Sequence, residues 1–255
     1  MKFTSKAKTL KTIKLKKAVI PYLEIFKCSD FIKNKSKIID KIENQFNEKI
    51  AIRSSFIDED RENSSNAGKY ISFLSVNPKN KKDLILKINK VIKSKKNLKQ
   101  KDIFFVQNMV QNIRISGVVL TRNLLDYSKC ININYSTGSN STLVTSGSKN
   151  TKSLIYYKND IFKIDKKFEQ LLKIVNEIIK KTNQEDIDIE FAIDNKKKVY
   201  ILQVRNLIIP RKKLYQADNR INEFNKLSKK INKLKKKNIG LFGETTFFGN
   251  MPDWN

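Results

Sequence analysis

Four polar side chains late in the chain have the types and spacing to hold a metal-bound phosphate. In the run DIDIEFAID (186–194), Asp188 and Glu190 stand two residues apart, and so do Gln203 and Arg205 in VYILQVRNL (199–207). A strand alternates its side chains with period two, so each of these pairs shares a face. Pairing the two runs as an antiparallel hairpin would put two carboxylates, an amide and a guanidinium on one side. A hard cation such as Mg2+ takes oxygen ligands of this kind, with phosphate oxygens and water completing its shell. Arg205 can then neutralise phosphate through two N–H donors. The same spacing also fits an exposed hairpin face with a cross-strand salt bridge, which contributes little.

Two further stretches carry chemistry. Arg53 ends the short run AIRSS (51–55), ahead of the polar loop FIDEDRENSSNAGKY (56–70) with Gly68. Arg53, the Ser54 and Ser55 hydroxyls and loop amides can wrap a polyphosphate, with Asp58, Glu59 and Asp60 turned to solvent, basic neighbours or a metal. A plain polar loop reads the same way. In DIFFVQNMV (102–110), an apolar run leads through Gln107, Met109 and Val110 to a turn. That suits a purine, which needs apolar walls and hydrogen bonds from one segment; ordinary core packing is the alternative. Histidine is absent from the chain. Hydrolases built on Ser-His-Asp or Cys-His are thereby excluded, as are imidazole metal ligands and a phosphohistidine within this chain.

The elements that must position these groups follow from periodicity. IIDKIENQFNEKI (38–50) reads as an amphipathic helix in an N-terminal stretch interrupted by Pro21. AIRSS and ISFLSV (71–76) read as strands around the polar loop. Residues 81–100 place Leu84, Ile85, Ile88, Val91 and Ile92 on one helical face. DIFFVQNMV, ISGVVLTRN (115–123), CININY (130–135) and SLIYY (153–157) read as strands, with the Ser/Thr/Gly-rich stretch 136–151 between the last two. Phe162, Phe168, Leu171, Leu172, Val175, Ile178 and Ile179 mark a strong helix over 160–182. Beyond the hairpin, Ile221, Phe224, Leu227, Ile231 and Leu234 form a narrow seam in a basic helix over about 212–238.

Taken in order, these blocks resemble one family. AIRSSFIDEDRENSSNAGKYISFLSV is similar to the "VRSS, acidic pair, AG-x-Y-x-S-x-L" block of the nucleotide-binding domain of phosphoenolpyruvate synthase and pyruvate phosphate dikinase. VQNMV with SGVVLTRN resembles its "VQ-x-MV … SGV-x-FT-x-[ND]-P" block, and DIEFAID with VYILQVRNL its closing "D-[IV]-E-[WF]-x-[ID] … LQ-x-RP" block. FTSKAKTL resembles the family's "GGK" start only through Lys6.

The resemblance implies an α+β, two-lobed ATP-grasp-like fold with mixed or antiparallel sheets flanked by helices: residues 1–100 as one lobe, 101–208 as the other, and 209–255 as a basic helical linker and tail. It implies a Mg-ATP-dependent phosphotransferase component that passes the β-phosphoryl group of ATP to a histidine on a separate domain or chain. By position, Arg53 and Arg205 would contact phosphates as catalytic groups, joined by Lys6. Glu190 and Gln203 would hold Mg2+ with Asp188 beside them, and Gln107, Met109 and Val110 would line the adenine.

Departures are equally specific. The family's "GLGE" reads STGSNS here, keeping Gly138, and "TRNP" ends at Leu124. The phosphohistidine and pyruvate-binding parts are missing, so a complete dikinase cycle in this chain is out; the aromatic end GLFGETTFFGNMPDWN resembles relatives that continue further, which suggests a truncated product. A catalytically inactive nucleotide-binding or regulatory module of the same fold is the alternative.

Bulk composition bounds the rest. The chain has 255 residues, 39% of them hydrophobic, enough for a sizeable core. No apolar run of membrane-spanning length occurs, and the basic start lacks a signal-like apolar segment, so the expectation is a soluble cytoplasmic protein without membrane insertion. Cys28 and Cys130 lack metal-site spacing and read as buried or idle thiols. The formal net charge of +28 is what a nucleic-acid binder would carry. Lysines spread over nearly every segment, an A/T-rich codon bias and scarce arginine disfavour that reading.

Overall fold

The structure, a computed structural model, describes residues 5–56, 71–138, 151–157, 165–209 and 225–232. The loop acids Asp58, Glu59 and Asp60, Gly68, most of the Ser/Thr/Gly-rich stretch and the aromatic end lie outside the described residues. The chain divides into two compact units, Met1–Asn123 with Lys129–Ile208, and Leu124–Ser128 with Ile209–Asn255. In the second unit a helix spans 225–232, where Leu227 is exposed and Ile231 half-buried. No helix among the described residues is long and apolar enough to cross a membrane.

The first unit is built on two antiparallel sheets. One contains β1 (Leu23–Lys27), β2 (Ile50–Ser55), β3 (Phe73–Val76) and β4 (Ile103–Asn108), in the order β1-β4-β2-β3. The other contains β5 (Ile113–Arg122), β6 (Lys129–Thr137), β7 (Lys152–Tyr156), β8 (Ile187–Asp194) and β9 (Val199–Asn206), in the order β7-β6-β5-β8-β9. Among the described residues every strand pair is antiparallel, and an isolated parallel bridge links Val19 to Tyr200. The α+β expectation therefore holds, with antiparallel sheets.

Alternation along the strands of the first sheet makes two unlike faces. Phe26, Ile50, Ile52, Phe104 and Val106 pack with α2 (Cys28–Lys33), α3 (Lys35–Gln45) and α4 (Lys81–Lys93). The opposite face carries Leu23, Ile103 and Phe105, which join the core of the second sheet, and in the same register Ala51, Arg53, Ser55 and Gln107. In the second sheet, Val119, Ile133, Tyr135, Ile189, Phe191 and Ile201 form the core face under α5 (Glu169–Thr182). Burying such faces, at roughly 25 cal/mol per Å2 of apolar area, is the main force holding the layers together.

Several boundaries differ from the sequence expectations. α5 begins at Glu169 and α3 ends at Gln45, because Ile50 is already in β2. The segment LEIFK forms β1 just after Pro21, within a stretch whose patterns suggest helices. β4 pairs with β1 and β2, so the change of sheet falls between Asn108 and Ile113. The N-terminal helix α1 (Lys6–Thr12) contributes Ala7 and Leu10 to the core of the second sheet, so the chain's first element does not stay with the first lobe.

Candidate functional site

The hairpin β8–β9 has the register that brings the four polar groups together: Asp188 faces Arg205 and Glu190 faces Gln203. Arg205 donates from Nε and Nη2 to one Asp188 oxygen, at 2.8 and 2.5 Å. Alternation along β8 puts Phe191 in the core and Glu190 on the polar face, and a bulge at Leu202 of β9 brings Ile201 opposite Phe191 in that core. Gln203 is 5% exposed and Asp188 likewise 5%.

Across from this hairpin, on the other sheet, Arg53 Nη1 donates to Glu190 Oε2 at 2.7 Å. Residues 137 positions apart thus meet in one ion pair, with side chains 15% and 17% exposed. Helix α1 reaches the same place. Its Ala7 N–H donates to Ser55 Oγ at 3.2 Å, and the charge of buried Lys6 acts on both Asp188 and Glu190.

The two carboxylates are driven apart electrostatically. Burial raises the pKa of Asp188, Arg205 opposes this, and the neighbouring Glu190 adds to the rise. Burial works the same way on Glu190, but Arg53, then Arg205 and Lys6, outweigh it and hold Glu190 below the ordinary carboxylate value. Two acids two residues apart on one strand face are thus shifted in opposite directions, Asp188 up and Glu190 down.

A narrow cleft opens beside the ion pair. Its lining includes Arg53, Gln107, Met109, Val110, Ser116 and Glu190, and its cavity volume is about 40 Å3. Met109 is tied down by its N–H to Lys49 O at 3.0 Å. Of the candidate residues, Arg53, Gln107, Met109, Val110 and Glu190 line the cleft; Asp188, Gln203 and Arg205 stand beside Glu190 on the hairpin; Lys6 approaches from α1. Among the described residues no three His, Cys, Asp or Glu side chains gather as a metal cage.

The two hydroxyls beside Arg53 fall on opposite faces of β2. Ser54 sits in register with Phe104, on the face turned to the first sheet's helices, and the Ser55 hydroxyl accepts from α1. Ser54 is therefore turned away from the cleft, whereas Ser55 shares the face of Arg53. Conversely, sequence reasoning passed over Ser116, Ser136 and Gly117. A Cβ on Gly117 would lie 2.3 Å from Asn134 O and 2.9 Å from Phe191 Cε1, so the crossing of β5 and β6 requires glycine there. The available signal was a glycine inside a strand pattern, with hydroxyls at Ser116 and Ser136 where the alternation predicts the polar face.

A larger cavity of about 740 Å3 lies between the β8–β9 turn and the start of α5. It holds none of the candidate residues, and its acids are occupied: Asp165 pairs with Lys167 at 2.8 Å, and Asp194 accepts from the Lys196 and Lys198 amides.

The two-sheet α+β fold has partial likenesses among solved structures. The chain is similar to D-alanine-D-alanine ligase from Helicobacter pylori, with 15% identity over 88% of this chain and 57% of that one, at a TM-score of 0.46. It is similar to D-alanyl-alanine synthetase A from Vibrio cholerae, with 12% identity over 78% and 51% of the chains and a TM-score of 0.44. A third is N5-carboxyaminoimidazole synthetase from Staphylococcus aureus complexed with ADP, with 15% identity, 78% and 42% coverage and a TM-score of 0.43. The chain spans about half the length of these proteins. At such identities and TM-scores the likeness assigns no reaction to the chain and no role to any residue. No protein-family model and no curated protein matches the sequence.

Proposed function

We propose that this chain is an ATP-grasp-like, Mg-ATP-binding module, the nucleotide-holding component of a phosphotransferase similar to phosphoenolpyruvate synthase and pyruvate phosphate dikinase. The observation that carries the reading is the Arg53–Glu190 contact. It joins residues of two separate sequence blocks, one on each sheet, at the mouth of a cleft lined by the third.

The residues fit the proposed ligand. Arg53 Nε and Gln107 Nε2 are buried donors without a partner, and Asp188 Oδ1 is a buried acceptor without one. Buried polar atoms are paired in the great majority of cases, so unpaired ones gathered at one place suit a ligand that offers both acceptors and a cation. Glu190 and Gln203 would hold Mg2+, with Asp188 beside them; Arg53, Arg205 and Lys6 would bind phosphate oxygens; Gln107, Met109 and Val110 would lie along the adenine. Bound Mg2+ supplies charge neutralisation at the phosphates.

A cavity of about 40 Å3 is far below the roughly 300–1,000 Å3 of a ligand pocket, so nucleotide entry requires the Arg53–Glu190 bond to open. Mg-ATP has the chemistry for that exchange. Arg53 would bind its phosphate and Glu190 its cation, so neither charge would be left buried alone. The acceptor in this reading is a histidine on another domain or chain, since this chain has none.

Calorimetric titration with a non-hydrolysable ATP analogue, with and without Mg2+, tests the proposal. Metal-dependent binding is expected; no heat under either condition refutes it. The lack of histidine also favours a second reading, an inactive nucleotide-binding module. Phosphoryl transfer to a supplied histidine-bearing carrier domain rules that reading out.

A further inference from the structure

Ser116 and Ser136 face each other in register across β5 and β6, and each is 2% exposed. Neither hydroxyl oxygen has a hydrogen-bond partner. Leaving a buried hydroxyl unpaired costs about 1–3 kcal/mol, and here two such groups lie side by side in one sheet. They sit on the polar face that carries Glu190, because Val118, two residues along β5 from Ser116, is directly opposite Glu190. Ser116 also lines the cleft.

Position along β5 suggests what they contact. Glu190, at the level of Val118, marks the charged end of the cleft, and Ile113, with Met109 and Val110, marks its apolar end. Ser116 lies between the two, about 7 Å from Val118 by strand geometry. A ligand with a charged polyphosphate at one end and an apolar ring at the other carries its neutral hydroxyl groups in the middle. We infer that the Ser116–Ser136 hydroxyl pair is the sugar subsite of this cleft and selects ribonucleotides over deoxyribonucleotides. The inference rests on the nucleotide-binding reading proposed above.

The test is titration of the full chain with MgADP, its 2′-deoxy and 3′-deoxy counterparts and magnesium tripolyphosphate, for the wild type, Ser116→Ala and Ser136→Ala. The wild type should bind MgADP about 5-fold more tightly than at least one deoxy form, the usual scale of one hydrogen bond. Ser116→Ala should weaken MgADP by a similar factor, leave that deoxy form unchanged and melt no lower than the wild type, since it removes an unpaired hydroxyl. Equal wild-type affinity for all three nucleotides, or equal weakening of all three by Ser116→Ala, overturns the sugar subsite while leaving the nucleotide site standing. Binding of neither nucleotide nor tripolyphosphate overturns both.

Discussion

Two buried ionic centres in the first unit use the same chemistry to different ends. On the helical side of the first sheet, Lys95 Nζ sits 2.9 and 2.8 Å from the two Asp102 oxygens, with side chains 7% and 0% exposed. The Lys99 amide donates to the same carboxylate at 2.7 Å, and both carboxylate oxygens are engaged. In the cleft, by contrast, Arg53–Glu190 and Arg205–Asp188 leave Arg53 Nε and Asp188 Oδ1 without partners. A centre that serves only the fold has its hydrogen bonds closed. One left open has capacity for a ligand and is the better functional candidate.

The closed centre gives the largest expected effect. Asp102→Ala strands the Lys95 charge in the core, and breaking a buried pair from one side costs about 3–5 kcal/mol. Urea denaturation should show that loss, while any variant that remains folded should bind Mg-nucleotide as the wild type does. A loss of less than about 1 kcal/mol would remove the distinction between the centres. In the open centre the expected order reverses. Arg53→Ala should weaken Mg-nucleotide binding by about 100-fold, equivalent to about 2.7 kcal/mol, while the protein stays folded. Wild-type affinity in that variant would mean that the cleft is only structural.

A smaller effect concerns Cys28, beside the closed centre. Burial first, then the charge of Asp102, pushes its thiol up to about 12, with Lys95 opposing. Thiolate is the reactive form, so Cys28 should resist alkylation at pH 9 in the folded protein and react once urea unfolds it. The folded-state value lies above the unfolded one, so this group favours folding least at high pH. Its contribution falls as pH rises from about 8.5, the free-thiol value, towards 12. Rapid labelling of Cys28 without unfolding would show that the centre opens to solvent.

The same contrast explains what the sequence made legible. Asp188, Glu190, Gln203 and Arg205 were readable because period-two alternation alone places them on one face, and the observed register is the one the hairpin predicts. α5 was readable in its second half because its apolar face repeats at three and four residues. The Lys95–Asp102 pair was not, since Lys95 looks like one more lysine in a lysine-rich run until the fold seals it. β1 was missed because five residues after a proline carry too little pattern to outweigh their helical surroundings. The sheet to which β4 belongs was not readable for a related reason: it joins β1 and β2 through pairings distant in sequence, which periodicity cannot show. Ser116 and Ser136 pair across strands, and nothing in either strand alone announces the other.

The smallest predicted effect asks whether the open centre shifts its two acids in opposite directions. Glu190 has a folded-state pKa below its unfolded value, so it adds stability above the ordinary carboxylate range, near 4.3, and loses it as pH falls through the lowered value. Asp188 is shifted the other way, so its charged form costs stability at neutral pH, and that cost fades as acid protonates it. Relative to wild type, Glu190→Gln should therefore look worst at pH 7 and recover as pH falls below 4. Asp188→Asn removes the burial cost along with the Arg205 partner, so its standing against wild type should worsen over the same fall in pH. Urea midpoints of the two variants between pH 7 and 3.5 should therefore move in opposite directions relative to wild type. Movement in the same direction would mean that the two carboxylates are not shifted in opposite directions by their surroundings.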